Sequence, residues 1–205
     1  MLSMSSVAIF GRSSDAFLEV VRQIRPEQWD QPGLGEWTVR SLVGHTARAI
    51  LTVENYLSLD DPGSISVPTA ESYYTTVYAE YTDHDSVRER GVEAGIWLGD
   101  DAIGAIQGAI GRARGIIDQQ HEGRIVSIGG MGIPLEEYLR TRVFELVVHT
   151  IDISRATGIP HTIPDVALQS TLALGVGVAS ATGHAEEILL ALTGRGTLPE
   201  GFSVV

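Results

Sequence analysis

The stretch from Pro134 to Thr157 constrains the fold more than any other part of this chain. Leu135, Leu139, Val143, Phe144, Leu146, Val147, Ile151 and Ile153 occupy most of the circumference of a helix drawn through it. At 100° per residue, Arg142, Glu145, His149 and Asp152 fall on one arc of about 80°. A helix that is apolar nearly all round belongs inside a protein. Ionisable groups buried there need partners or a metal, because isolated buried charges are too costly to keep. Four of them in register therefore mark a polar stripe within a helical core.

The rest of the chain reads as mostly helical. A first helix is expected from about Ser5 to Ile24, with Val7, Phe10, Phe17, Val20, Val21 and Ile24 at helical spacing. A connector follows, and its two tryptophans, Trp29 and Trp37, predict that it packs down. Thr38 is a suitable N-cap for a second helix ending near Ser58. The region from Ala70 to Tyr81 is helix or strand, since four tyrosines and several β-branched residues fit either. A long third helix is expected from about Asp85 to Gln119, bent near Gly99 and weakened by its many glycines. Residues 123–133 read as a short extended piece and a turn. The fourth helix, about Pro134 to Thr157, is closed by Gly158 and then Pro160. Two terminal helices are expected at Asp165 to Thr182 and Ala185 to Leu192. With no repeat, linker or low-complexity tract, residues 1–205 are expected to form a single domain.

Charge narrows the function classes. The 14 Lys+Arg and 26 Asp+Glu give a formal net charge of −12, which repels phosphate backbones and anionic lipid. The N-terminus lacks the pattern of a signal peptide, and no run of about 18 apolar residues occurs, so a cytoplasmic protein is expected, without nucleic-acid or membrane partners. There is no cysteine. Any metal must be held by His, Asp and Glu, and any thiol must come from outside the chain.

Glu145 and His149 are four apart, so both heads can reach one point, as when a helix supplies two metal ligands. The spacing by itself is equally consistent with a buried Glu–His hydrogen bond with Arg142 as counter-ion; about 0.4 such pairs arise by chance in a chain of this composition. A third ligand is available from helix two, where Ser41, Ala49, Thr52 and Tyr56 share an arc with His45 and leave room in a bundle interior. A satisfied core histidine is the other reading of His45. His84 and His121 lie in charged stretches, and His161 and His184 flank helix ends.

The segments Trp37-Thr-Val-Arg-Ser-Leu-Val-Gly-His45 and Tyr138-Leu-Arg-Thr-Arg142-Val-Phe-Glu145-Leu-Val-Val-His149-Thr-Ile-Asp152 resemble the two signature stretches of the mycothiol-dependent maleylpyruvate isomerase N-terminal domain family, within the DinB/YfiT-like superfamily. Leu189 to Arg195, with Leu198 and Pro199, is similar to the tail of many members. The resemblance implies an all-α fold: a DinB-like four-helix bundle, here with additional short C-terminal helices. It also implies a divalent metal ion, zinc or nickel, at His45, Glu145 and His149. The isomerases carry a mixed α/β domain after the bundle, whereas about fifty residues follow the fourth helix here.

Three protein ligands leave coordination positions open, as in catalytic sites. The resemblance then implies an enzyme of the thiol-dependent transferase or isomerase type, with mycothiol as cosubstrate and a small electrophile as substrate. Asp152 is expected to orient a ligand imidazole or accept a proton, and Arg142 and Arg48 to hold a substrate carboxylate or balance buried charge. A non-catalytic metal- or ligand-binding stress protein and a metal-dependent hydrolase are the alternatives. A homodimer is compatible with all three. Two histidine ligands predict an acid limb of metal affinity steeper than one would give.

Overall fold

The computed structural model describes residues 4–78 and 84–205, without the side chains of 77, 78 and 84–88. The chain is mostly helical. Helix α1 (Ser6–Val21) begins at Ser5, whose hydroxyl accepts from Ala8 N, and buries Phe10, Phe17 and Val21 along one stripe. Helix α2 (Val39–Leu57) is capped by Thr38, which accepts from Ser41 N at 3.2 Å. The connector between them packs down as expected: Gln28 is buried and donates to the Thr157 carbonyl at 2.8 Å, and Arg40 lies over the Trp29 ring.

The ambiguous region resolves as helix. A short α3 (Ala70–Ser72) runs on as a π-helical segment, Tyr73–Tyr78; the remainder of that region, to Tyr81, lies outside the described residues. The expected long third helix is two helices instead, α4 (His84–Trp97) and α5 (Ala102–Ile117). Gly99 ends the first in the left-handed region, at φ +58°, and Asp101 opens the second by accepting from Gly104 N at 2.9 Å. The α5 glycines cost helix propensity, but Ile106, Ala109, Ile110, Ala113 and Ile117 bury a continuous stripe that outweighs it.

Strands β1 (Ile125–Ile128) and β2 (Met131–Pro134) form an antiparallel hairpin. Gly129 and Gly130 both take positive φ, which suits a two-residue hairpin turn. The hairpin feeds straight into α6 (Leu135–Thr157), which ends at Gly158 with φ +70°. Helices α7 (Asp165–Ala181) and α8 (Ala185–Leu192) complete the chain.

Helices α1 and α2 each pack against both α5 and α6, closing a four-helix ring. One apolar cluster fills this ring, including Phe10, Phe17, Leu42, Ile50, Ile106, Leu139 and Leu146. A smaller cluster of Ala70, Tyr74, Phe144, Leu174 and Val178 joins the π-helical segment, α6 and α7. Helix α4 lies on α2 at unusually close range: a Cβ on Gly44 would sit 2.3 Å from Gly95 N. Among the described residues, no helix is long and apolar enough to cross a membrane.

The close α2–α4 contact makes a paired test. Gly44→Ala must push the two backbones apart and is expected to destabilise by about 1–3 kcal/mol, as overpacked cores do. Gly111→Ala, in a helix where a Cβ meets nothing within 4 Å, is expected to stabilise by about 0.5–1 kcal/mol. Urea denaturation of the two variants checks both signs.

Candidate metal centre

Helix α2 carries His45 into the bundle, and α6 brings Glu145 and His149 opposite it. The two imidazole rings are 4.9 Å apart, nearly perpendicular. One donor atom from each of His45, Glu145 and His149 lies within 4.8 Å of the others, a group that could hold a metal ion. His149 Nε2 is 3.4 Å from Glu145 Oε2. That is long for a charge-assisted hydrogen bond, which runs about 2.7–2.9 Å, and close to the spacing of about 3.3 Å between two ligand atoms around one tetrahedral ion. Nδ1 of His45 is fully buried and has no hydrogen-bond partner among the described residues. Two imidazoles and a carboxylate suit zinc, nickel and related divalent ions, so the residues present fit such a group.

Each member of the group is held from behind. Asp152, one turn along α6, lies with Oδ2 3.0 Å from His149 Nδ1 and turns Nε2 toward Glu145. The Tyr74 hydroxyl donates to Glu145 Oε1 at 2.8 Å. The His45 ring rests on Trp37, with centroids 4.5 Å apart. Trp37 in turn requires Gly91, where a Cβ would come within 2.6 Å of the indole. Side chains of Glu145 and His149 remain 19% and 15% exposed, so the site communicates with solvent.

Arg142 completes the stripe. Its guanidinium lies over the rings of Tyr73 and Tyr138, at 5.8 and 5.2 Å, and its Nε donates to Thr141 Oγ1. It makes no ion pair with any described residue. Tyr138 is fixed by donating to Thr52 Oγ1 at 2.9 Å. The sequence pattern missed Tyr73 and Tyr74, because a tyrosine-rich segment of undecided secondary structure carries no hint of what its rings and hydroxyls meet. It also passed over Tyr138, whose place four residues before Arg142 does put the two side by side. Arg48 is half-buried on α2, its basicity lowered by burial and by the nearby charge of Arg90.

The other histidines stay away from the group. His121 pairs with Asp61, His184 with Glu187, and His161 is exposed; the His84 side chain lies outside the described residues.

Electrostatics separate the two site histidines. Burial, then the charge on His149, pushes His45 down to about 3. Burial also works against a charged His149, but contacts with Asp152 and Glu145 outweigh it and raise its pKa to about 9. Burial would raise Glu145, yet the adjacent His149, Arg142 and the Tyr74 hydroxyl hold it down at about 2. At neutral pH the metal-free site therefore holds a neutral His45, an ionised Glu145 and a charged His149.

This corrects the expectation of a two-proton acid limb. His45 carries no proton to lose near neutrality, so a metal ion displaces one proton, from His149. Metal affinity is expected to fall tenfold per pH unit between about pH 9 and pH 4, with one proton released per ion at pH 7. The metal-free fold should be most stable near pH 6.5, the pKa of an unfolded histidine. Above it, the contribution of the raised His149 is lost through about pH 9. Below it, unfolded His45 gains a proton that the folded state refuses until about pH 3. Histidine NMR titration of the metal-free protein and calorimetry in buffers of different ionisation enthalpy check both statements. A His45 that titrates near 6.5, or two protons released, overturns them.

The sequence model of the mycothiol maleylpyruvate isomerase N-terminal domain matches residues 10–154, which include every residue of this site. No curated protein matches the chain significantly. No solved structure does so either. The match covers well over half of the chain and agrees with its mostly helical architecture. The chain belongs to the mycothiol maleylpyruvate isomerase N-terminal domain family.

Proposed function

We propose that this protein is a metal-dependent enzyme that activates a low-molecular-weight thiol of the mycothiol type for S-transfer to, or isomerisation of, a small electrophile. The observation that carries the reading is the convergence of His45, Glu145 and His149, with Asp152 behind His149, in a family member that has no cysteine of its own. Held by those three residues, a divalent ion would supply a Lewis acid with open positions that lowers the pKa of a thiol bound to it, giving thiolate near neutral pH.

The chain's own residues have distinct tasks. Asp152 accepts the His149 Nδ1 proton and holds that imidazole in the tautomer whose Nε2 faces the site. Arg142 makes no direct ion-pair contact with a described carboxylate, though it feels the charge of Glu145, and its terminal nitrogens are suited to an anionic group of thiol or electrophile. Trp37, Tyr73 and Tyr138 supply apolar walls that limit water around these charges. A cytoplasmic location suits this chemistry, because small thiols are kept reduced there.

His149→Ala is expected to abolish metal retention, and Asp152→Asn to weaken it by about 10–100-fold. Mycothiol binding, followed calorimetrically, is expected on metal-loaded protein and lost after complete metal removal by chelator. Thiol binding that survives metal removal unchanged would overturn the thiolate reading in favour of a binding protein. Metal retained with no affinity for thiol would favour a hydrolase.

A further inference from the structure

We propose that Tyr74 is a positioning residue that makes Glu145 a one-oxygen ligand, and so biases the site toward small divalent ions of low coordination number over larger oxygen-seeking ones. The inference rests on the metal reading above and adds to it a determinant of which ion is held. It starts from a division of labour between the two carboxylate oxygens. Oε1 accepts the Tyr74 hydroxyl at 2.8 Å, while Oε2 is the oxygen 3.4 Å from His149 Nε2. The hydrogen bond holds Oε1 turned toward the tyrosine and Oε2 turned toward the histidines, so two-oxygen binding would have to strain or lengthen it.

The hydroxyl has little freedom to follow the carboxylate. The Tyr74 ring is 3% exposed and wedged between Phe144, at 5.2 Å, and Tyr73, at 5.3 Å. Its segment is anchored to α6 independently: Ala70 N donates to Glu137 at 2.9 Å, and Arg140 bridges Glu137 and Glu71 at 2.6 Å each. The π-helical turn lets consecutive tyrosines serve adjacent members of the stripe, Tyr73 over Arg142 and Tyr74 on Glu145. Single π-turns occur often at functional sites for this kind of reason.

The chemical consequence follows from coordination preferences. Zinc takes about four ligands at 2.0–2.3 Å and tolerates a one-oxygen carboxylate. Calcium takes about six to eight oxygens at 2.3–2.6 Å and gains from a carboxylate that offers two. With Oε1 engaged, the protein offers two nitrogens and one oxygen and leaves the other positions free. A phenol is also a neutral donor, so it orients Glu145 without cancelling the charge an ion needs.

Tyr74→Phe removes the hydroxyl and keeps the ring contacts with Phe144 and Tyr73. Parent, Tyr74→Phe and His149→Ala proteins are compared by zinc and manganese competition against a chromophoric chelator, by the visible spectrum of the cobalt(II)-loaded protein, and by melting without metal. Expected for Tyr74→Phe are zinc affinity about 10–100-fold weaker, a clearly smaller loss for manganese, and weaker cobalt bands that report a higher coordination number, beside a modest fall in metal-free melting from the lost hydrogen bond. Zinc affinity and cobalt spectrum equal to the parent's overturn the proposal, as does an equal loss of zinc and manganese affinity, which a general loosening of the site would give. Tyr74→Met, which fills the same space without a donor, replaces the phenylalanine variant if that protein does not fold. A parent that binds no zinc, or a His149→Ala protein that keeps it, overturns the metal reading and this inference with it.

Discussion

Charge in the middle of a helical bundle is the condition that the surrounding structure must satisfy. Arg142, Glu145, His149 and Asp152 follow one another along α6, and an unpaired ion in such a place costs several kcal/mol. The chain meets that cost locally. Asp152 and Glu145 flank His149, Tyr74 donates to Glu145, and two tyrosine rings take Arg142. Much of what lies outside the four-helix ring serves these contacts. The π-helical segment carries Tyr73 and Tyr74, and the ion pairs of Arg140 with Glu71 and Glu137 tie that segment to α6.

The opposite wall is built by making residues small rather than charged. Gly44 and Gly95 let α2 and α4 come nearly into backbone contact, and Gly91 makes room for the Trp37 indole that backs His45. A methyl group at Gly44 or Gly91 would overlap the facing helix or the indole, and one at Gly95 would press on Ser41. Packed interiors transmit such strain instead of absorbing it. The position of one candidate ligand therefore depends on glycines in two helices, only one of which carries that ligand.

Two imidazoles with rings 4.9 Å apart end with opposite properties, for identifiable reasons. His45 is buried against an indole with an unpartnered nitrogen, so desolvation decides and the ring stays neutral. His149 is at least as enclosed, yet carboxylates on both sides decide and the ring stays charged. The pair offers one nitrogen ready for an ion and one that must first give up a proton. This asymmetry suits a site proposed to exchange protons against metal and thiol near neutral pH.

Periodicity made the bundle legible, because a 3.6-residue repeat reports directly which face is buried; helices α1, α2, α6, α7 and α8 begin and end within a few residues of the capping signals at Ser5, Thr38, Gly158 and their neighbours. The Arg142–Glu145–His149–Asp152 arc was visible for the same reason, since residues on one face of one helix need no knowledge of the rest of the fold. Gly99 could be read as a bend but not as a full break, because only its left-handed φ, with Asp101 capping the next helix, separates the two. The sequence by itself determined an acidic, cysteine-free helical bundle with a polar stripe inside it. Tertiary structure alone decided that His45 meets the stripe across about 100 residues of chain, that a tyrosine from a π-turn selects one oxygen of Glu145, and that the two histidines differ in charge. Those outcomes depend on distances between separate elements and on burial, and neither is encoded in the spacing of residues along a single helix.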